Sequence, residues 1–304
     1  MLIDFDKEVD KLLQIRQGKI VEGLKLDIPE IDEYFRFKPG NFNVILGHAN
    51  TGKTTLTLFL MLLYTIKHKT KWLIFSSEND SHTIIKKFIE FLEVKPINKI
   101  SEDSFDKHCS FIFQYFKIVQ ADELYSYKQL LKLADNVNNA WQYDGLLIDP
   151  YNSLVKDVEI IKNINGHEYD YQATSEMRIF CKKTNISIWL TTHAATEALR
   201  RRFNIQHEYA GHPMPPMASD VEGGGKFVNR ADDFLVVHRF TQHPTEWMNI
   251  HLHIRKVKDN DTGGRPTPID APIIIKSIKN NVGFDINGKN CINLPLVKQI
   301  TAPF

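Results

Sequence analysis

The sequence predicts an α/β fold: a mainly parallel, twisted sheet with helices on both faces and antiparallel strands at its C-terminal edge. Short apolar runs alternate with amphipathic helical segments from residue 41 to about residue 191, as in strands joined by helical crossovers. Beyond residue 230 the apolar runs follow one another with short connections, which is typical of antiparallel strands.

Each predicted element follows from its local pattern. Apolar runs predict strands at 41–46, 71–76, 116–119, 145–149 and 186–191. Helical spacing of apolar residues predicts helices at 53–68, 81–93, 125–141 and 169–184. Later strands are predicted at 234–238, 250–256 and 272–276, with a turn at 260–264.

An amphipathic segment precedes this alternation. Residues 4–17 place apolar side chains at roughly helical spacing among charges, and Gly18 is a plausible stop. We therefore expect an N-terminal arm over residues 1–20 and one domain over residues 21–304. The arm packs either on its own domain or on a neighbouring subunit, and the sequence favours neither.

Composition is that of a soluble globular protein, with 42% hydrophobic and 25% charged residues among 304. The formal net charge of +1 gives no global field for nucleic acid, so a polyanion must meet a local basic patch. Cys109, Cys181 and Cys291 form neither a zinc spacing nor a disulfide framework. With no membrane-length apolar run and no signal-peptide pattern, we expect a cytoplasmic protein without a membrane partner.

The strongest motif is the P-loop pattern G-x-x-x-x-G-K-[ST] at residues 47–54, between an apolar strand and an apolar helix. Its glycines let backbone N–H groups curl around phosphates, and the helix N-terminus adds positive potential. We expect ATP or another NTP to be bound by Gly47, His48, Ala49, Asn50, Thr51, Gly52, Lys53, Thr54 and Thr55. Lys53 would reach the β and γ phosphates, and the Thr54 hydroxyl would be a Mg²⁺ ligand.

Three further residues follow strands and so fall at the carboxyl edge of a parallel sheet, where ligands bind. Asp149 ends the strand 145–149 and is the predicted second Mg²⁺ ligand, directly or through water. Glu78 follows the strand 71–76 and is a candidate catalytic base if strand order brings it near the P-loop. His193 ends the fifth strand and is a candidate γ-phosphate sensor, although this polar cluster could also cap a helix.

Together these segments resemble the RecA-like motor domain of the hexameric replicative helicases, the DnaB, Twinkle and phage primase-helicase group. The resemblance covers roughly residues 20–280. It lies in Pro39-Gly40 before the first strand, in Ser76-Ser77-Glu78, and in Asp149-Pro150-Tyr151-Asn152, where Asn152 takes a glutamine position. It implies that Glu78 is the catalytic base and His193 the γ-phosphate sensor. It also places Asn229 and Arg239 near the nucleotide.

The polar stretch 194–226 corresponds to the family's mobile loop that holds single-stranded DNA. N–H groups and cations there would follow the phosphates without reading bases. The candidate DNA contacts are Arg200, Arg201, Arg202, Gly223, Gly224, Gly225 and Lys226. The alternative is a solvated surface loop. The chain also departs from the family here, because Glu222 stands where the DnaB pattern has arginine, and a carboxylate would repel phosphate.

A predicted hairpin matches the family's Lys-x-Arg pair, which reaches the γ phosphate of the neighbouring subunit. Lys256 falls at the lysine position and Lys258 at the arginine position, where lysine loses the planar fork. Arg255 competes for this role, and exposed hairpin cations without function are the alternative.

The resemblance implies an ATP-dependent helicase or translocase on single-stranded DNA in phage-like replication, in a bacterial or phage-infected cell. It implies hydrolysis at subunit interfaces of a homo-oligomer, a hexameric ring, with priming by a separate primase. A RecA-like recombinase or loader, or a regulatory ATPase acting on protein partners, remains an alternative.

Overall fold

The computed structural model describes residues 5–18 and 22–292. Within these residues the strands form one sheet of ten, in the order β10-β9-β8-β7-β6-β1-β5-β4-β2-β3. The strands are β1 Phe42–Gly47, β2 Trp72–Ser76, β3 Phe116–Ile118, β4 Gly145–Asp149, β5 Ser187–His193, β6 Asp233–Arg239, β7 Asn249–Val257, β8 Ile273–Ser277, β9 Phe284–Ile286 and β10 Lys289–Asn290.

Helices connect the strands and cover the sheet. They are α1 Phe5–Arg16, α2 Pro29–Asp32, α3 Lys53–His68, α4 Ser81–Glu93, α5 Glu102–Tyr115, α6 Tyr127–Ala140, α7 Val158–Ile161, α8 Gly166–Thr184, α9 Lys226–Arg230 and α10 Asn260–Gly263. Within the described ranges, no helix is both long and apolar enough to cross a membrane.

The sheet has a parallel and an antiparallel part. β3, β2, β4, β5, β1 and β6 pair in parallel, and β6 to β10 pair with antiparallel neighbours. The predicted fold class is therefore confirmed. The chain passes from β1 to β2 on the β5 side of the sheet, and later from β5 past β1 to β6 on the other side. Such a reversal in an open sheet forms a ligand crevice at the carboxyl edge.

Apolar side chains pack on both faces of the sheet. Along β1, Ile45 belongs to one buried cluster, and Val44 and Leu46 belong to the other. Trp72 and Trp189 pack edge to face with ring centroids 5.1 Å apart. Gly145 must lack a side chain, because a Cβ there would lie 2.2 Å from the Trp72 ring. Burial on both faces explains why these strands are continuous apolar runs.

The structure adds elements that the sequence pattern missed. α5 was not predicted because most of its residues are exposed and only Ile112 is buried. β9 and β10 are too short to show a period. The segment 260–264, predicted as a turn, is the single helical turn of α10 followed by Gly264 at φ +106°.

Helix α1, Phe5–Arg16, falls within residues 4–17, where the sequence predicted an amphipathic helix. Its apolar side chains are exposed in the single chain, with Phe5 73% and Leu12 63% accessible. A contiguous exposed apolar patch of this kind can serve as an interaction surface.

Candidate functional site

The P-loop segment leaves β1 and enters α3 at the carboxyl edge of the sheet. Gly47 ends β1, and a Cβ there would lie 2.5 Å from the Val237 carbonyl oxygen, so no larger residue fits. Gly52 adopts φ +88° and caps α3, which begins at Lys53. The sequence around the helix start therefore forms the predicted strand-loop-helix turn.

Lys53 is buried at the start of α3, with 7% of its surface accessible. Its Nζ donates to the His48 carbonyl oxygen at 3.0 Å. Burial lowers the pKa of Lys53, while the carboxylates of Asp149 and Glu78 act to raise it. Lys53 therefore lies inside the loop, where its ammonium contacts the His48 carbonyl and lies near two carboxylates.

Thr54 and Asp149 meet across the crevice. The Thr54 hydroxyl donates to Asp149 Oδ1 at 2.9 Å, and its oxygen lies 3.0 Å from Oδ2. The hydroxyls of Thr191 and Ser76 also donate to Asp149, at 2.6 and 3.1 Å. Burial raises the pKa of Asp149, and these hydrogen bonds act to lower it. The two predicted Mg²⁺ ligands, the Thr54 hydroxyl and the Asp149 carboxylate, therefore lie next to each other.

His193 stands between Lys53 and Glu78. Its Nδ1 lies 3.4 Å from Lys53 Nζ, and its Nε2 lies 3.4 Å from Glu78 Oε1. β2 lies three strands from β1, with β5 and β4 between them. Glu78 still lies beside His193, because β2, β4 and β5 are parallel and end at the same edge of the sheet. The candidate base, sensor and phosphate-binding lysine thus form one line of polar groups.

A second chain of contacts runs from His193 to the loop 194–226. Asn152 Oδ1 accepts from the Thr192 hydroxyl at 2.9 Å and from the His193 amide at 3.2 Å. Asn152 Nδ2 donates to Glu222 Oε2 at 2.9 Å, and the Glu222 amide donates to the His193 carbonyl at 3.0 Å. Glu222 is therefore a partner of Asn152 beside the sensor.

Both ends of the loop 194–226 are fixed beside His193, because Ala194 and Val221 form an antiparallel bridge. Of the three arginines, Arg201 pairs with Asp220, while Arg200 and Arg202 are exposed. A Cβ added at Gly224 or Gly225 would meet nothing within 4 Å. Gly223 is exposed, but a Cβ added there would lie 3.1 Å from Asp170 Oδ2.

Lys226 does not have the exposure that the DNA prediction requires. Its Nζ donates to the His167 carbonyl at 2.6 Å and lies 3.5 Å from Asp170 Oδ2, and the residue is buried. A buried ammonium that is already paired does not contact a strand in this conformation. The sequence could not show this, because the partners come from α8, far along the chain.

Arg239 lies beside the P-loop. Its Nη1 would lie 4.0 Å from a Cβ added at Gly52. Its Nε donates to the Trp247 carbonyl, and the guanidinium lies 5.9 Å from the centroid of the half-exposed Trp247 ring. Sequence reasoning missed Trp247, because it lies in a short 3₁₀ turn without a motif.

The hairpin cations lie at the opposite edge of the sheet. β7 runs antiparallel to β6, so Lys256 pairs with Phe234 near the start of β6. Lys256 Nζ donates to the carbonyls of Val228 and Ala231, both at 2.7 Å. Lys258 Nζ donates to Asp232 Oδ1 at 2.9 Å. Neither lysine can reach the P-loop of its own chain.

Asn229 lies in α9, between Val228 and Ala231, whose carbonyls accept hydrogen bonds from Lys256 Nζ. The expectation that Asn229 lies near the nucleotide stays a prediction.

Comparison with known proteins identifies relatives of this arrangement. No protein-family model matches the chain. The Twinkle homolog protein, chloroplastic/mitochondrial, of Arabidopsis thaliana is 23% identical over 274 residues. The match covers 86% of this chain and 36% of that protein, so the chain spans about a third of the length of this curated relative.

Solved structures share the fold. The ATPase domain of G40P superposes with a TM-score of 0.74 at 15% identity, over 93% of this chain and 99% of that one. A DnaB-like replicative helicase, solved to study its interactions with primase, gives 0.67 at 15% identity, over 93% and 67%. A KaiC-like protein from Pyrococcus horikoshii OT3 gives 0.57 at 14% identity, over 88% and 99%.

The sheet order, the strand-loop-helix turn at residues 47–54 and these superpositions show a RecA-like fold. Within that class, the chain has the fold of the DnaB-type replicative helicase ATPase domains, which confirms the resemblance read from its motifs.

Proposed function

We propose that this chain is the motor of an ATP-dependent DNA helicase that acts on single-stranded DNA and hydrolyses ATP at subunit interfaces. The observation that carries the proposal is the line Lys53–His193–Glu78 beside the Thr54–Asp149 pair, joined through Asn152 to the loop 194–226. The site thus links phosphate chemistry to a loop that starts and ends beside it.

The residues present fit a nucleoside triphosphate with Mg²⁺. Thr54 and Asp149 offer hydroxyl and carboxylate oxygens, which Mg²⁺ prefers, and Mg²⁺ takes its other ligands from phosphates and water. Among the described residues no cluster of three or more His, Cys, Asp or Glu side chains could hold a metal alone. When bound, Mg²⁺ would neutralise charge that develops on the β and γ phosphates.

The roles of the protein groups follow from their positions. Lys53 would leave the His48 carbonyl and bind the β and γ phosphates. Glu78, half exposed, would accept a proton from the attacking water. His193, between the two, would contact the γ phosphate. Departure of that phosphate would change the contact between His193 and Asn152. Glu222 would carry that change into the glycine segment 223–225.

Single-stranded DNA would lie along the loop 194–226. Arg200 and Arg202 are exposed, and neither pairs with a carboxylate in the described part of the chain. The open sides of Gly224 and Gly225 allow close approach of a phosphate to their amides. Hydrolysis would change the Asn152–Glu222 contact and so move the loop.

Completion of the site requires a second subunit. Lys256 and Lys258 lie at the edge opposite the P-loop, so they would serve the γ phosphate of a neighbour. The exposed apolar face of α1 would pack on such a neighbour. A closed ring, as inferred from the resemblance, would give every P-loop one such partner.

Hydrolysis assays with and without single-stranded DNA test the proposal. We expect DNA to stimulate turnover in the wild type, and we expect Lys53→Ala to abolish it. Unwinding of a forked duplex, with ring-shaped particles in electron micrographs, would distinguish a helicase from a recombinase. Turnover indifferent to DNA would favour the regulatory ATPase instead. Turnover retained in Lys53→Ala would overturn the site.

A further inference from the structure

A cavity of about 270 Å³ opens beside the contact between Asn152 and Glu222. Both of these residues line it, together with Gly223. Its other walls come from the start of α6, from the segment that follows β4 and from the first turn of α8. None of the described lining residues belongs to the P-loop segment 47–54, so a nucleotide bound there would leave the cavity open.

Three tyrosines give the cavity rigid aromatic walls. Tyr127, Tyr151 and Tyr169 line it, and none of them is more than 9% accessible. Tyr127 and Tyr169 pack edge to face with ring centroids 5.4 Å apart, and Tyr151 packs edge to face on Phe227 at 5.1 Å. Because these neighbours already hold the rings, a planar ligand would meet them without having to order them first.

Polar groups in these walls can bind the edge of such a ligand. The buried Asp170 carboxylate accepts from the Tyr151 hydroxyl at 2.8 Å, and its Oδ2 lies 3.5 Å from Lys226 Nζ. A carboxylate has about four acceptor positions, so this one can accept further hydrogen bonds. The Tyr127 hydroxyl is buried without a hydrogen-bond partner in the described part of the chain, although Glu176 lies close to it. A buried hydroxyl of this kind calls for a polar ligand or water.

The mouth of the cavity lies where the proposed DNA path passes. Gly223 and Lys156 are exposed lining residues. Gly224 and Gly225, whose amides are open to a phosphate, follow Gly223 directly, and consecutive Cα atoms are about 3.8 Å apart. A nucleotide whose phosphate contacts those amides therefore has its base within reach of the cavity, and Lys156 can pair with an adjacent phosphate.

We propose that this cavity takes one nucleobase of the single-stranded DNA that lies on the loop 194–226, so that a base as well as phosphates holds the strand. This inference rests on the proposed function, because it requires the strand to follow that loop. A base offers a planar ring to the tyrosines and polar edges to Asp170 and Tyr127. Contact between a base and aromatic side chains tolerates any sequence. A cavity that holds only ordered water is the competing explanation.

Removing the bases from the strand separates the two explanations. Fluorescence anisotropy would compare oligo-dT with an abasic strand of the same length, in the presence of a non-hydrolysable nucleotide. We expect the abasic strand to bind at least about fivefold more weakly, because each aromatic contact with a base contributes to affinity. The dependence of affinity on salt should be the same for both strands, because their phosphates are equal in number.

The two ways in which this comparison can fail are distinct. Equal affinity for the two strands would overturn the inference and leave the proposed function standing. Absence of binding to either strand would overturn the proposed function and the inference together.

Leu154 allows the cavity to be filled, because it lines the wall and is only partly buried. In Leu154→Trp the ratio of the two affinities should fall toward one. Leu154→Ala, the matched control that widens the cavity, should keep the ratio of the wild type. The Tm of each variant shows whether it is folded. An unchanged ratio in folded Leu154→Trp protein would overturn the assignment of the base to this cavity.

A probe in the strand tests the wild-type protein without any substitution. Oligo-dT would carry 2-aminopurine at one position after another, and acrylamide would quench its fluorescence from solution. We expect at least one position to be quenched more slowly in the complex than in the free strand, because a base inside the cavity is shielded. Equal quenching at every position, in bound and free strands, would overturn the inference.

Discussion

Lys53 and His193 face each other across the crevice, with Nζ of the lysine 3.4 Å from Nδ1 of the histidine. One residue opens α3 and the other ends β5, the neighbour of β1. The other ring nitrogen of His193 faces Glu78 at 3.4 Å. A γ phosphate bound by Lys53 would therefore lie next to both the sensor and the base.

Glu78→Gln should bind ATP and Mg²⁺ but turn over slowly. The amide cannot accept a proton from water, and loss of a general base costs about 10²–10⁴-fold in rate. We expect kcat to fall by that order with KM for ATP nearly unchanged, measured by phosphate release. Glu176→Gln, a carboxylate exchange on α8 outside the site, is the control. A kcat within a factor of two of wild type would remove Glu78 from the mechanism.

Lys256→Ala should lose turnover as a pure protein and regain part of it when mixed with Lys53→Ala protein. In mixed oligomers an intact P-loop meets an intact Lys256 from the next subunit. Turnover should pass through a maximum as the mixing ratio is varied. Lys289→Ala, a substitution on β10 away from the hairpin, should behave as wild type. No recovery at any ratio would show that Lys256 does not act across an interface.

Glu222→Gln should bind single-stranded DNA more tightly while keeping DNA-stimulated turnover. The amide oxygen can still accept from Asn152 Nδ2, but the repulsion of phosphate is gone. An exposed charge contributes up to about 1 kcal/mol, so affinity should rise about two- to fivefold at low salt and less at high salt. Fluorescence anisotropy with a non-hydrolysable nucleotide measures this. Unchanged affinity at every salt concentration would place the DNA away from Glu222.

Acid should destabilise the domain through the histidines of β6 and β7. Burial lowers the pKa of His238 to about 3 and of His253 to about 2, and neighbouring cationic side chains act in the same direction. Because the folded state binds these protons more weakly than the unfolded chain, stability is intact above about pH 6.5. It falls between pH 6.5 and the folded values, by about 1.4 kcal/mol per pH unit for each histidine.

Denaturant unfolding between pH 7.5 and 5 checks this, with His253→Phe as the comparison. The variant keeps a ring of similar shape without a titratable group, so its stability should fall less steeply with acid. Equal slopes for the variant and wild type would show that His253 does not contribute.

The sequence predicted the parts of this molecule that depend on local pattern. The P-loop, Asp149 and the strand ends followed from apolar runs and one motif, since a parallel sheet places all such ends at one edge. Contacts set by long-range pairing were missed. Lys226 is buried against α8, where its Nζ contacts the His167 carbonyl. Lys258 pairs with Asp232, a residue without a motif, because β7 turns back alongside β6.

A crystal structure of the chain with a non-hydrolysable ATP analogue and Mg²⁺ would test the central claim most directly. We predict the β and γ phosphates within residues 47–54, in contact with Lys53 Nζ. The metal should contact the Thr54 hydroxyl and should be held by Asp149, directly or through water. An analogue bound elsewhere with residues 47–54 unchanged, or a metal distant from Asp149, would contradict the account.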